Sequence, residues 1–215
     1  MKLFTYDPAP NPRRLALFLQ YKGITLDSQQ VDLGAAEQLQ ERYRQLVPAC
    51  TVPALQLDDG TVLTEVIGIC TYLEGLHQDK PLLCTTLLEK AQVISWDHRL
   101  FLTISLAVAG MLRNRSKAFV NRALPGPLDV PQIPELVERG KLQLAYILPQ
   151  LDRELGTRPW LAGSSFTFAD IDLLVGIDFM AWVRESIPEE CTHLRAWYDR
   201  AKAELGLSVQ AVARS

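Results

Sequence analysis

Hydrophobic positions in this chain change their period after roughly its first third. Before that point they come in short runs and near-alternations, and after it they recur at three- and four-residue spacing. Lys2 to Tyr6 reads as a short strand of apolar and β-favouring residues, and Asp7 to Pro10 as a loop. Asn11-Pro12 reads as an N-cap followed by proline at the first helical position, where the missing N–H costs nothing. Leu15, Phe18 and Leu19 give that helix its apolar stripe, and Gly23 stops it. Ile24 to Leu33 suits a second strand, and the polar run Gly34 to Gln45 is irregular or helical. Leu55, Leu57, Val62 and Leu63 then flank Asp59-Gly60, a pair favoured in tight hairpin turns. A helix opening near Glu65 buries Ile67, Cys70, Leu73 and Leu76.

Beyond Pro81 strand signals disappear. Leu87 to Met111 is one long helical pattern with Val93, Leu100, Ile104, Ala107 and Met111 along one side. Leu124 to Pro134 carries four prolines and a glycine and reads as a loop. Leu136 to Leu155 is helical and ends at Gly156. Thr167 and Asp170 fit a capping box, with Phe166 and Ile171 as its hydrophobic staple. The helix they open, Phe168 to about Val183, is apolar almost all round and is expected at the centre of a helical domain. His193 to Ala203 is a last amphipathic helix anchored by Leu194, Trp197 and Tyr198.

This order predicts a small α/β domain over residues 1–83 and an all-α domain over 84–215. The crossover between the first two strands implies a parallel pair, and the hairpin an antiparallel one. Composition adds little: 48% hydrophobic and 22% charged residues are those of a soluble globular protein. A net charge of -3 gives no electrostatic case for nucleic acid or an acidic membrane surface. The most apolar segments are too short, or are interrupted by Asp172 and Asp178, to span a bilayer. No signal-peptide pattern is visible, so the expectation is a soluble, cytoplasmic chain. Cys50, Cys70, Cys84 and Cys191 and the three histidines are scattered without metal-ligand spacing, so no metal site is expected.

Three local features bear on chemistry. Pro53 opens an apolar strand, where proline is tolerated only at an edge, a first position or a bulge. A trans peptide is the commoner state before proline, and a cis one would turn the preceding backbone outwards. Arg13 and Arg14 put two cations in a first helical turn, against the helix dipole, so they pair with acids or face an anion. His98 and Ser105 lie two helical turns apart and are expected on one face.

Several separated motifs resemble those of glutathione transferases, in that family's order and over essentially the whole chain. They are the Val-Pro-Ala-Leu, Asp-Asp-Gly and Leu-x-Glu elements of residues 52–65 and the Phe-Thr-Phe-Ala-Asp-Ile-Asp run of 166–172. The resemblance implies a thioredoxin-like N-terminal domain and an all-helical C-terminal domain, with glutathione as co-substrate. Pro53 is then the family's cis-proline, and Val52 pairs its backbone with the cysteinyl amide of glutathione. Glu65 helps hold the γ-glutamyl end. Val66 stands where the family usually has serine, so the backbone N–H remains while the hydroxyl is lost. Gln38, in a polar run where a solvated loop side chain is the commoner case, is the residue the resemblance offers as a donor to the glycyl carboxylate.

The family's catalytic Ser or Cys falls on Ala9, which leaves Tyr6, Asn11 and the open N–H groups of the first helix as candidates to hold the thiolate. In a bacterial and fungal branch the thiol is thought to be activated through a bound water, and His98 and Ser105 are candidates to hold it. Asp97 is a candidate to reach a partner subunit's glutathione. The implied function is conjugation of glutathione to small hydrophobic electrophiles by a homodimer. Alternatives are a glutathione-dependent isomerase, dehalogenase or peroxidase, or a non-catalytic binding protein of the same fold.

Overall fold

The structure, a computed structural model, describes residues 1–207. Residues 208–215, which the expected helical domain includes, lie outside them. The N-terminal domain is a four-stranded mixed sheet in the order β2-β1-β3-β4. Its strands are β1 (Lys2–Thr5), β2 (Asp27–Gln30), β3 (Ala54–Gln56) and β4 (Val62–Leu63). β1 runs parallel to β2 and antiparallel to β3, and β3 pairs with β4 through the hairpin. The hairpin loop is longer than a two-residue turn. Gly60 N–H bonds the Leu57 carbonyl at 3.0 Å, and only Gly60 takes a positive φ, 88°. β2 is much shorter than the expected Ile24–Leu33 strand, because it is an exposed edge and only four residues reach β1.

Helix α1 (Pro10–Lys22) starts earlier than expected. Ala9, not Asn11, is the N-cap, extended at φ -78° and ψ 146° as the residue before a proline prefers. Pro10 takes the first helical position, and Asn11 falls inside the first turn. The polar run after β2 holds a short 3₁₀ turn (Glu37–Leu39) and α2 (Glu41–Leu46), and α3 (Val66–Leu76) follows the hairpin.

Among the described residues the second domain holds helices and no named strand. The expected single helix is α4 (Leu87–Leu100) and α5 (Leu106–Arg115), joined through a π-helical turn at Phe101–Ser105. α6 (Glu135–Leu155), the central α7 (Phe168–Met180) and α8 (Thr192–Glu204) complete it. Twelve of the thirteen α7 residues are buried. Asp170 anchors that helix. It accepts N–H groups from Leu161 and Thr167 and the Trp197 indole N–H, at 2.9–3.0 Å.

One apolar core joins the two domains. α1 and α3 bring Leu15, Phe18, Ile69 and Leu73 to it, and α4 and α7 bring Val93, Phe168 and Leu173. The linker is fixed by Glu74, whose Oε1 accepts the N–H groups of Leu82 and Leu83 at 2.7 and 2.9 Å. Its other oxygen lies 2.7 Å from Lys22 Nζ, a buried ion pair. The consequence for the site is positional: the N-terminus of α1 is pressed against α4 and α7.

Candidate functional site

The sheet register decides what meets at one edge. Phe4 pairs with Ala54, and Leu55 pairs with Leu63. Both ladders stop there, so Tyr6, Val52 and Glu65 each follow or precede the last paired residues by only one to two positions. The C-terminal end of β1, the N-terminal end of β3 and the start of α3 therefore converge where α1 begins. Val52-Pro53 is a cis peptide, as the resemblance implies. Among the described residues, neither main-chain group of Val52 makes a hydrogen bond, since β3 pairing begins only at Ala54. An unpaired strand edge of this kind is a template for an extended peptide.

The turn before Val52 holds that edge in place. Cys50 adopts φ 54°, the left-handed region that favours glycine. Its N–H bonds the Val47 carbonyl at 2.9 Å, and the Tyr43 hydroxyl bonds the Thr51 carbonyl at 2.7 Å. Cys50 is itself buried, and Cys70 is fully enclosed with its thiol pushed well up by burial, so Cys70 presents no reactive thiolate.

At the start of α3, Glu65 is exposed and also takes a positive φ, 59°. Val66 is buried, and the N–H groups of Val66, Ile67 and Gly68 have no partner among the described residues. They leave this helix end open with the dipole behind it, an arrangement that favours anions in general. Gln38, expected as a solvated loop side chain or a carboxylate donor, is buried at 7% exposure, and its Oε1 has no hydrogen-bond partner among the described residues.

The donors at the start of α1 are few. Pro10 and Pro12 have no N–H, that of Arg13 bonds the Ala9 carbonyl, and that of Ala9 bonds the Tyr6 carbonyl. Asn11 is left with the one unpaired main-chain N–H of the first turn among the described residues. The expected set of open N–H groups is thus reduced to one. Tyr6 is half-buried and packs against the cluster of Phe4, Val31, Tyr43 and Val52.

Arg13 and Arg14 both find acids. Arg13 lies 2.6 Å from Asp178. Arg14 is buried, with Nε 2.6 Å from Asp172 Oδ1 and a terminal nitrogen 2.5 Å from Asp97 Oδ1. Asp97 is therefore enclosed within its own chain rather than extended toward a partner subunit. Burial pushes the Asp172 carboxyl well above the usual range, against the pull of Arg14. For Arg14 itself burial works downward, but the two carboxylates outweigh it and hold the guanidinium charged. The signal for this cluster lay in two oddities, the cations in a first turn and the acid inside an apolar helix.

His98 is exposed and Ser105 half-buried, and neither side chain is hydrogen-bonded among the described residues. The π turn between them corrects the expectation of one face. Leu106 N–H reaches back five residues to the Phe101 carbonyl, and the extra residue rotates the α5 side of the turn by up to roughly 100°. Beyond α5 the proline-rich segment folds back on that helix. Arg113 donates to the carbonyls of Arg122 and Leu124, and Gln132 to those of Arg113 and Ser116. A Cβ on Gly126 would stand 3.3 Å from the Ala49 carbonyl, so this segment touches the turn that carries Val52. Among the described residues no cluster of three or more His, Cys, Asp or Glu is placed to hold a metal ion, and no helix is long and apolar enough to cross a membrane.

Comparison with known proteins agrees with this geometry. The glutathione S-transferase N-terminal domain model matches residues 9–76 and the C-terminal domain model residues 107–204. Glutathione S-transferase 2 of Saccharomyces cerevisiae is 32% identical over 206 residues, covering 93% of this chain and 85% of the relative. A glutathione S-transferase domain-containing protein of Marinobacter aquaeolei VT8 superposes with a TM-score of 0.86 at 29% identity, over 94% of this chain and 98% of that one. Gtt2 of Saccharomyces cerevisiae gives 0.85 at 29% identity, over 94% and 96%. The family models and the relative agree with the fold, and the chain belongs to the glutathione S-transferase family.

Proposed function

We propose that the chain is a glutathione transferase that joins the thiol of glutathione to small hydrophobic electrophiles. The observation that carries this reading is the unpaired main chain of Val52 behind cis-Pro53. It offers a donor and an acceptor to an extended peptide, so the cysteinyl unit of glutathione docks there as an added strand. The γ-glutamyl carboxylate then meets the free N–H groups of Val66, Ile67 and Gly68, with Glu65 beside the amine. Gln38 serves the glycyl end.

The cysteinyl sulfur, held from Val52, lies toward the start of α1. Stabilising it as a thiolate needs a donor there. Asn11 supplies both its main-chain N–H and its side-chain amide, and Tyr6 belongs to the packed wall behind. Missing the family's serine hydroxyl at Val66 weakens glutathione binding by about 0.5–1.5 kcal/mol without abolishing it. The domain division at 83/84, a homodimeric assembly and a cytoplasmic location belong to the same reading.

Calorimetric titration with glutathione tests it first: binding at or below millimolar concentration is expected, and none at that level removes its basis. A panel of aryl halides, maleyl-type compounds and hydroperoxides then separates the chemistries. Turnover confined to the second or third class moves the assignment to an isomerase or a peroxidase, and glutathione binding with no turnover on any class to a binding protein.

A further inference from the structure

The Asn11 amide is oriented by a neighbour. Its Oδ1 lies 3.2 Å from Nη1 of Arg14, one helical turn on. A guanidinium has donors and no acceptor, so this contact can only be made to the amide oxygen. The amide nitrogen is consequently turned away from Arg14. It makes no hydrogen bond among the described residues and is not enclosed. Asn11 is thus held with its acceptor spent inside and its two side-chain donors outward, at the same point where its main-chain N–H is the first turn's free donor.

Arg14 is itself immobilised. Asp172 from α7 takes Nε, Asp97 from α4 takes a terminal nitrogen, and the Phe168 ring lies 5.5 Å from the guanidinium carbon. Two carboxylates face one cation, so this cluster presents no surplus positive charge to the start of α1. Whatever Arg14 contributes there is geometric.

We propose that Arg14 is a positioning residue for thiol activation, its guanidinium, clamped between Asp97 and Asp172, setting the Asn11 amide so that its N–H groups point at the glutathione sulfur. This rests on reading the Val52 edge and the start of α3 as the glutathione site. It ties the reactivity of the thiol, bound on the N-terminal domain, to the docking of α1 against two helices of the other domain. A loosened domain contact frees the amide to turn its oxygen outward, where it repels a thiolate.

The thiol pKa of bound glutathione, followed by the ultraviolet absorbance of its thiolate as pH is varied, tests the proposal. Asn11→Asp keeps an oxygen for Arg14 and replaces the outward donor with a second carboxylate oxygen. It is expected to raise the bound thiol pKa by at least about one unit, a roughly tenfold loss of thiolate near neutral pH that higher pH restores. The dissociation constant for glutathione should stay within about threefold, since the main-chain grip is elsewhere. Arg14→Lys keeps the charge but not the fork, and should raise the pKa in the wild-type background while adding nothing in an Asn11→Ala background. Where Arg14→Lys does not fold, Asp97→Asn loosens the clamp from its other side and should act in the same direction.

An unchanged thiol pKa in Asn11→Asp overturns the proposal. So does an Arg14→Lys or Asp97→Asn shift that persists in full without the Asn11 amide, because Arg14 would then act on the sulfur without Asn11. Failure of the wild-type chain to bind glutathione overturns the function instead, and that result is visible before any variant is made.

Discussion

Asp170 accepts the indole N–H of Trp197 at 2.9 Å, which fastens the first turn of α7 to the middle of α8. Both residues are fully buried, and the same carboxylate takes the N–H groups of Leu161 and Thr167. Desolvation outweighs these donors, so the carboxyl titrates above its ordinary 3.8 in the folded chain. The folded state therefore holds this proton more tightly than the unfolded one, and Asp170's contribution to stability falls as pH rises from about 4 through the raised folded value. Asp170→Asn removes the titration and sets an NH₂ group against one pair of donors. We expect it to cost about 2–4 kcal/mol at low pH, with the gap to wild type narrowing as pH rises through that window. Urea melts of both proteins across pH check this; a gap that widens with pH refutes the sign.

The Arg14 cluster makes a different prediction. Removing one member of a buried ion group leaves an uncompensated charge, so Arg14→Met should destabilise the chain by about 3–5 kcal/mol. Replacing the set together, as Arg14→Met with Asp97→Leu and Asp172→Leu, should recover most of that loss. Equilibrium denaturation of the single and triple variants decides it. A triple variant no more stable than the single one would show that the cluster's value is packing rather than charge balance.

How local each feature is decided whether the sequence disclosed it. The Thr167–Asp170 capping box, the Asp59-Gly60 turn and the Gly23 stop each lie within a few residues, and each is present. Arg14 and Asp172 are 158 positions apart, and the sequence showed only that each was misplaced for its helix. Buried apolar positions keep their spacing through Leu100, Ile104 and Ala107, so nothing in that pattern betrays the π turn that displaces Ser105 from His98. Gln38 looked solvated because a polar run gives no sign of which side chain the fold will cover. For the candidate site, motif resemblance carried Val52, Pro53, Glu65 and Val66. The fact that the Val52 main chain is unpaired needed the ladder register.

Packing between α5 and α6 depends on a bare Gly140. A Cβ there would clash with Met111 Cγ and come 3.1 Å from the Ala107 carbonyl, and Met111 is fully buried. Gly140→Ala gains helix propensity of up to about 1 kcal/mol but overpacks by about 1–3, so a net loss of stability is expected. Gly110, also helical, has nothing within 4 Å of such a Cβ, and Gly110→Ala should be stabilising by about 0.5–1 kcal/mol. Opposite shifts in melting temperature are the signature, and two shifts of the same sign would contradict the packing argument.

Val66 offers a gain of function at a known cost. Its N–H already stands at the open start of α3, and Val66→Ser would add the hydroxyl donor that the family usually has there. That donor should tighten glutathione by about 0.5–1.5 kcal/mol, or roughly two- to tenfold. Val66 is also only 3% exposed, and exchanging its buried methyl groups for a hydroxyl should cost about 1–3 kcal/mol of folding stability. The two effects have opposite signs and separate readouts, calorimetric affinity at a temperature where both proteins are folded, and thermal melting without ligand. Equal affinity in the two proteins, with the stability loss intact, would mean that the γ-glutamyl carboxylate is not received at this helix start, and the docking of glutathione along Val52 would have to be drawn again.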